Sequence, residues 1–392
     1  MLKSIRLVNF YSFRDTTIEL HQGVNVLVGI NGSGKSNFFK VFELLKNAVE
    51  GRRLRRHILE IGGVNEMLYQ GERENDEIGI EMVYEGPEYT SKMVSGELET
   101  VNYEIKIIPT QTEYYLKEKA WSRDEVFFEK EGKQAVIKTI KGQQSLKAMN
   151  DFDLELFSSY GSFTLDSTIA SAAFSDFRTA LDSLGYISTI NTAISSPIRK
   201  PVLAIPEKEI VNGGDNLVQV LNTIKINDKK TYRKIVEALQ RVNPHFKDFD
   251  FRPFGTNFEM LLEEEGLNRS IHLSKVSDGT LRYLCLMTAL ITNRKSVLCI
   301  DEPETGLHPD MLYNIAEAIK EASETATVVI STHSAQLLNY FDLETVRVFE
   351  KDDENATQVS AFTEGDFEGW YETFQVGSMW RQGDIGGNRY GN

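Results

Sequence analysis

The run Gly29-Ile30-Asn31-Gly32-Ser33-Gly34-Lys35-Ser36 lies between an apolar stretch, Val24 to Val28, and a helical pattern that begins at Asn37. A short buried strand, a glycine-rich turn and a helix in that order form a P-loop in its proper context. Backbone N–H groups of the turn can surround phosphate oxygens, and the helix points the positive end of its dipole at the same anion. Gly29, Gly32 and Gly34 allow backbone conformations that a side chain would obstruct. Lys35 is expected to reach the β and γ phosphates, and the Ser36 hydroxyl to complete the shell of a magnesium ion. The nucleotide-binding candidates are therefore Gly29, Asn31, Gly32, Ser33, Gly34, Lys35, Ser36 and Asn37.

At 392 residues the chain suggests about two lobes, on a prior of ~150 residues per domain. Hydrophobic content of 41% and charged content of 26% suit a soluble globular protein rather than a disordered or fibrous one. No apolar run approaches the ~20 residues needed to span a bilayer. The N-terminus begins directly with strand-like alternation, so neither a signal peptide nor membrane association is expected. Cys285 and Cys299 fall in apolar segments and read as small core residues, and the expected compartment is the reducing cytoplasm. A net charge of −15 argues against a surface that coats nucleic acid nonspecifically. The run Arg52-Arg53-Leu54-Arg55-Arg56-His57 reads either as a solvated helix end or as a contact for DNA or a partner's phosphate.

Residues 3 to 28 alternate as strands, an opening sheet that feeds the P-loop, and the helix from Asn37 to Val49 packs one face on it. Residues 78 to 140 read as a β-meander with strands at Ile78 to Tyr84, Val101 to Ile108 and Val126 to Phe128; residues 145 to 185 read as helices. The expected organisation is a nucleotide-binding domain in two halves, 1–50 and 204–364, an inserted β-plus-helical lobe at 51–203, and a glycine- and aromatic-rich tail at 365–392. Pro197, Pro201 and Pro206 mark the crossing into the second half. That half opens with helices around Leu217 to Ile224 and Ile235 to Val242, then strands near Phe249 to Phe254, Phe258 to Leu262 and Ile271 to Leu273. Trp370, Tyr371, Trp380 and Tyr390 in the tail either dock on a partner or close over the core of the same chain.

Ser296 to Glu302 is an apolar strand ending in two carboxylates. At the carboxyl end of a buried parallel strand, Asp301 can hold magnesium through water and Glu302 can polarise an attacking water as general base. The plainer alternative is an N-cap and a first-turn acid for the helix after Pro309. The strand Thr327 to Ser331 runs into Thr332-His333-Ser334, where His333 is placed to contact a γ-phosphate. Ser277, Asp278 and Gly279 open a strongly apolar helix, as a plain N-cap, as an anion-binding end, or as both.

Taken together, these motifs resemble the ABC-type ATPases, in the branch of RecF, SMC and OLD proteins. The P-loop, the signature-like Val276-Ser277-Asp278-Gly279-Thr280, the Asp301-Glu302 pair and His333 stand in that family's order, and the likeness covers roughly 1–50 and 210–350. It looks closest to small stand-alone bacterial AAA-type ATPases of anti-phage loci, which often neighbour a nuclease. The resemblance implies an α/β fold: an ABC-type head with a mixed sheet interrupted by an inserted β-plus-helical lobe. It also implies ATP and Mg2+ as cofactors, with Glu302 and His333 catalytic, and Ser36, Asp301 and Gln70 near the metal, Gln70 standing for the family's glutamine loop. A head-to-tail homodimer, or higher oligomer, would set Ser277, Asp278 and Gly279 against the partner's nucleotide. Departures are the signature itself, which lacks the usual leucine, second glycine and glutamine, and His308, where an aspartate usually communicates across the dimer. Phe10, Tyr11, Phe13 and Arg14 are candidates for adenine packing, with a simple core role as the alternative.

Three functions fit. The first is a nucleotide-gated sensor or scaffold for a separate effector, a nuclease being the expected kind, in anti-phage defence or DNA maintenance. The second is a RecF-like repair ATPase that binds DNA as an ATP-dependent clamp, although no long heptad pattern supports a cohesin-like role. The third is a nucleotide-binding structural protein, disfavoured by Glu302.

Overall fold

The computed structural model describes residues 1–49, 54–85, 100–139, 142–147, 177–367 and 375–387, apart from positions 124, 178 and 182. Arg52, Arg53, Trp370, Tyr371, Tyr390 and most of the helices expected over 145–185 lie outside the described residues.

The strands fall into three sheets. Strands β1 (Leu2–Phe10) and β2 (Phe13–Glu19) pair with each other, whereas β3 (Val24–Val28), which leads into the P-loop, belongs to a different sheet. The opening sheet expected from residues 3 to 28 is thus divided. The burial pattern explains why: β2 alternates buried and exposed residues, as a strand covered on one face does, while all five residues of β3 are buried, the mark of a parallel strand covered on both faces.

β1 and β2 start an eight-stranded antiparallel sheet, continued by β4 (Ile78–Glu85), β5 (Thr100–Pro109), β6 (Tyr114–Ser122), β7 (Glu125–Glu131), β8 (Gln134–Thr139) and β9 (Gly142–Lys147). The meander is therefore continuous with the N-terminal strands, through the β1–β4 pairing that sets Ile5 opposite Met82. Residues 145–147, expected to begin a helix, close this sheet as part of β9.

The six-stranded sheet has the order β10 (Leu184–Ile187), β15 (Val297–Ile300), β16 (Thr327–Ser331), β3, β17 (Val346–Lys351), β18 (Thr357–Ala361). All neighbours are parallel except β18, which runs antiparallel to β17. A third, small antiparallel sheet holds β11 (Val202–Leu203), β12 (Phe246–Phe254), β13 (Asn257–Glu264) and β14 (Ile271–His272).

The period of two along each strand divides the core. Val24, Val26, Val28, Leu298, Ile300, Val328 and Ile330 face the helices Asp278–Ile291 and Pro309–Ser323. On the opposite face, Leu27, Cys299, Val329 and Phe349 meet Phe38, Phe39 and Phe42 of the P-loop helix Lys35–Val49, which also covers the antiparallel sheet. Both cysteines are buried and free, as expected. The C-terminal helix Val376–Gln382 closes over the same chain, with Val376, Met379, Trp380 and Ile385 in the first of these cores. Among the described residues no helix is long and apolar enough to cross a membrane.

Candidate nucleotide site

The parallel sheet delivers three loops to one edge. The P-loop leaves β3, residues 301–308 leave β15, and Thr332-His333-Ser334 leave β16, all at carboxyl ends, where open α/β sheets bind ligands.

In the P-loop, Asn31, Gly32 and Ser36 are exposed while Ser33, Gly34 and Lys35 are buried. Gly32, with φ +85°, has nothing within 4 Å of where a Cβ would stand, so the crest of the loop is open. Gly34 serves packing instead: a Cβ there would lie 2.3 Å from Thr357 Oγ1. That hydroxyl donates to the Ser33 carbonyl at 2.8 Å and, its one proton spent there, accepts from the Ser12 hydroxyl at 2.8 Å, while Asn37 Nδ2 donates to the same Ser12 oxygen at 3.0 Å. Lys35 Nζ donates to the carbonyls of Gly29 (2.7 Å) and Ile30 (3.2 Å). Burial lowers its pKa to about 8, against the pull of Glu302, Asp301 and Glu304.

Asp301 and Glu302 follow β15 directly, and both are tied to Ser331 at the end of β16. The serine hydroxyl donates to Asp301 Oδ1 and accepts from the Glu302 amide at 3.0 Å. Burial pushes the Asp301 carboxyl up from its ordinary value. Glu302 has φ +46°, in the left-handed region that non-glycine residues seldom adopt, and Thr305 Oγ1 donates to its Oε2 at 2.9 Å. The carboxylate is thus turned out of the strand direction and held. His333 Nε2 stands 3.5 Å from Glu302 Oε1, and burial, then the Lys35 charge, push its pKa down against the pull of Glu302 and Asp301, which favours the neutral imidazole.

Sequence reasoning assigned no role to Glu304. Its Oε1 accepts from Thr332 Oγ1 (2.7 Å), the His333 amide (2.8 Å) and the Ser334 amide (3.1 Å), and so fixes the turn that presents His333. The available signal was a third acid two residues beyond Glu302. Thr357, the first residue of the edge strand β18, carried none.

At the signature segment, Ser277 Oγ accepts from the Thr280 amide at 3.2 Å, so Ser277 is the N-cap of helix Asp278–Ile291. Asp278 is paired with Arg199 instead. Gly279 packs against the loop after β15, where a Cβ would meet the Gly306 carbonyl at 3.0 Å. His308 caps the helix Pro309–Ser323, its side chain accepting from the Asp310 amide. Gln70 is exposed, and its amide donates to the carbonyls of Asn65 and Leu68. Phe10 and Phe13 have no exposed surface and take the core role, the other of the two readings offered for them. Tyr11 remains half-buried under the Lys40 ammonium, 3.9 Å from its ring centroid, and Arg14 pairs with Glu354. In the arginine run, Arg55 pairs with Glu113 and Arg56 with Glu60.

The donor set suits a nucleotide and a hard cation. An open glycine crest, a lysine and the unpaired N–H groups of a helix start suit phosphate. Among the described residues no three His, Cys, Asp or Glu side chains gather into a metal cage. Magnesium does not need one, being held by one or two protein oxygens together with phosphates, and Ser36 and Asp301 offer such oxygens.

Comparisons with known proteins agree. An ATP/GTP phosphatase of Helicobacter pylori (strain ATCC 700392 / 26695) is 22% identical over 370 residues, spanning 87% of this chain and 88% of that protein. A DNA double-strand break repair Rad50 ATPase of Sulfolobus acidocaldarius is 33% identical over 91 residues, 23% of this chain and 9% of that one. Among solved structures, an SMC head bound to the C-winged helix domain of ScpA superposes with a TM-score of 0.57 at 13% identity, covering 93% of this chain and 99% of the other. An SMC head with an extended coiled coil, bound to the C-terminal domain of ScpA derived from Pyrococcus furiosus, gives 0.56 at 11% identity, covering 95% and 98%. The fold is that of an SMC-type ABC ATPase head, and with its P-loop the chain is an ATP-binding and ATP-hydrolysing enzyme. A family profile described as "AAA domain, putative AbiEii toxin, Type IV TA system" matches residues 24–339, and the chain belongs to that family.

Proposed function

We propose that this ATPase binds Mg2+-ATP at Gly29–Asn37, closes head-to-tail on a second copy, and acts as a nucleotide-gated sensor or scaffold for a separate effector, a nuclease, in anti-phage defence. The observation that carries the reading is the convergence of Lys35, Asp301, Glu302 and His333 from three neighbouring parallel strands, with His333 Nε2 3.5 Å from Glu302 Oε1. Lys35 would leave the Gly29 and Ile30 carbonyls for the β and γ phosphates. Mg2+, held by Ser36 and by Asp301 through water, would neutralise phosphate charge. Glu302 would take the proton of the attacking water, and neutral His333 would donate a hydrogen bond to the γ-phosphate. Ser277 and Gly279 of the partner subunit would complete the site, so nucleotide closes the dimer and hydrolysis reopens it. The family's toxin description supports the defence role. Sedimentation velocity with and without Mg2+-ATP tests the reading: a nucleotide-dependent dimer is expected, and a monomer at saturating ATP would overturn it.

The short Rad50 match favours a second reading, an ATP-dependent DNA clamp. Pairing of Arg55 and Arg56 with acids takes charge from the basic stretch such a clamp would use. Stimulation of ATP hydrolysis by duplex DNA would bring the clamp forward, and hydrolysis indifferent to DNA would leave the sensor.

A further inference from the structure

Arg199 ends a short turn, Pro197–Arg199, in the proline-marked crossing, and its side chain is 4% exposed. Its guanidinium spends its donors on the signature segment and its neighbour. Nε donates to the Thr192 carbonyl (2.8 Å), Nη1 to the carbonyls of Leu273 (2.6 Å) and Val276 (2.8 Å), and Nη2 to Asp278 Oδ1 (2.7 Å). The Asp278 side chain itself is 69% exposed, and the Arg282 charge acts on its carboxylate from one turn along the helix. One planar cation therefore fixes the 192–199 turn, the 273–276 turn and the first residue of helix Asp278–Ile291 relative to each other.

Asp278 poses an electrostatic problem that this arrangement answers. A carboxylate in the first turn interacts favourably with the helix dipole. It thereby competes with, and repels, any phosphate brought to the same end. We propose that Arg199 is a positioning residue of the ATPase cycle: it offsets the charge of the Asp278 carboxylate and ties it to the 192–199 turn, leaving the amides at the start of the helix to a phosphate carried by a second copy of the chain. The inference rests on the head-to-tail reading above. It assigns Arg199 to closure of the dimer and not to nucleotide binding by the single chain. A lysine would be a poor substitute, because a point ammonium lacks the planar fork that reaches acceptors in different directions.

The test measures dimerisation by sedimentation velocity with Mg2+-ATP, beside the affinity of the monomer for a fluorescent ATP analogue. Arg199→Gln is expected to raise the protein concentration needed for the dimer about tenfold or more, as loss of a charge-assisted contact does. Its monomer should bind the analogue within about twofold of wild type. Adding Asp278→Asn should restore most of the dimerisation, because the repelling charge is gone; a purely structural Arg199 would gain nothing from that second change. Dimerisation of Arg199→Gln at the wild-type concentration, or no recovery in the double variant, overturns the proposal. If Arg199→Gln loses its cooperative melt, Asp278→Asn alone decides: it should dimerise at or below the wild-type concentration, and weaker dimerisation overturns the proposal. A wild-type chain that stays monomeric with ATP would instead remove the dimer reading itself, and the two failures are told apart by that control.

Discussion

His333 Nε2 lies 3.5 Å from Glu302 Oε1, and the two residues come from the ends of adjacent parallel strands. Neither position is left to a free loop. Glu302 is held in a left-handed conformation by Ser331 and Thr305, and the turn carrying His333 is gripped through its amides by Glu304. Backbone strain of this kind persists where the surroundings over-determine it. The carboxylate proposed as general base and the imidazole proposed to contact phosphate are thus placed relative to each other by the fold itself.

Lys35 should make stability and nucleotide affinity respond oppositely to pH. Burial lowers its pKa from 10.5 to about 8, so between those values the folded chain binds fewer protons than the unfolded one, and this group's contribution to stability rises with pH. Phosphate favours the charged form. ATP affinity should therefore fall about tenfold per pH unit above 8, with proton uptake on binding. Calorimetry at pH 7 and 9 in buffers of different ionisation enthalpy checks both. Lys35→Ala should lose most of the affinity and all of this pH dependence; a flat profile in the wild type contradicts the assignment.

Thr357 should prove necessary to the P-loop although it lies far away in sequence. Its hydroxyl bonds the Ser33 carbonyl and Ser12 Oγ, so Thr357→Val takes the donor from the Ser33 carbonyl and the acceptor from the Ser12 hydroxyl, at a cost of about 1–3 kcal/mol. The denaturant midpoint should drop and the KM for ATP should rise. An unchanged midpoint would mean that the hydroxyl network bears no weight.

Gly377 lets the C-terminal helix seat itself. A Cβ there would fall 1.9 Å from the Ala335 carbonyl oxygen and 2.6 Å from Asn339 Oδ1. Gly377→Ala must lift the helix off the turn that follows His333, at a cost of about 1–3 kcal/mol, as overpacking usually does. Thermal melting should fall by several degrees and ATP turnover should decline. Wild-type values for both would show that Val376–Gln382 does not rest there.

Sequence reasoning read well where chemistry and periodicity coincide. Val24 to Ser36, Ser296 to Glu302 and Thr327 to His333 each join a mainly apolar strand to a polar end, the pattern of a buried parallel strand with its polar end at the sheet's edge. It read poorly where the answer depends on pairing across long separations. Alternation marked β1 and β4 as strands, but a period of two does not say which strand lies beside which, so the continuity of the meander with residues 2–19 was invisible. Arg199, Glu304 and Thr357 were missed for the same reason. Each acts on a distant backbone group, Glu304 on the His333 amide 29 positions away, Arg199 on the Leu273 carbonyl 74 away and Thr357 on the Ser33 carbonyl 324 away, and no local pattern records such a partner.

The central claim, that this site hydrolyses ATP with Glu302 as base, is tested most directly by Glu302→Gln, measured for ATP turnover and for sedimentation with Mg2+-ATP. Loss of one general base should lower kcat by about 10²- to 10⁴-fold while every binding group remains, so the variant should accumulate as an ATP-bound dimer. Turnover equal to wild type would contradict the account.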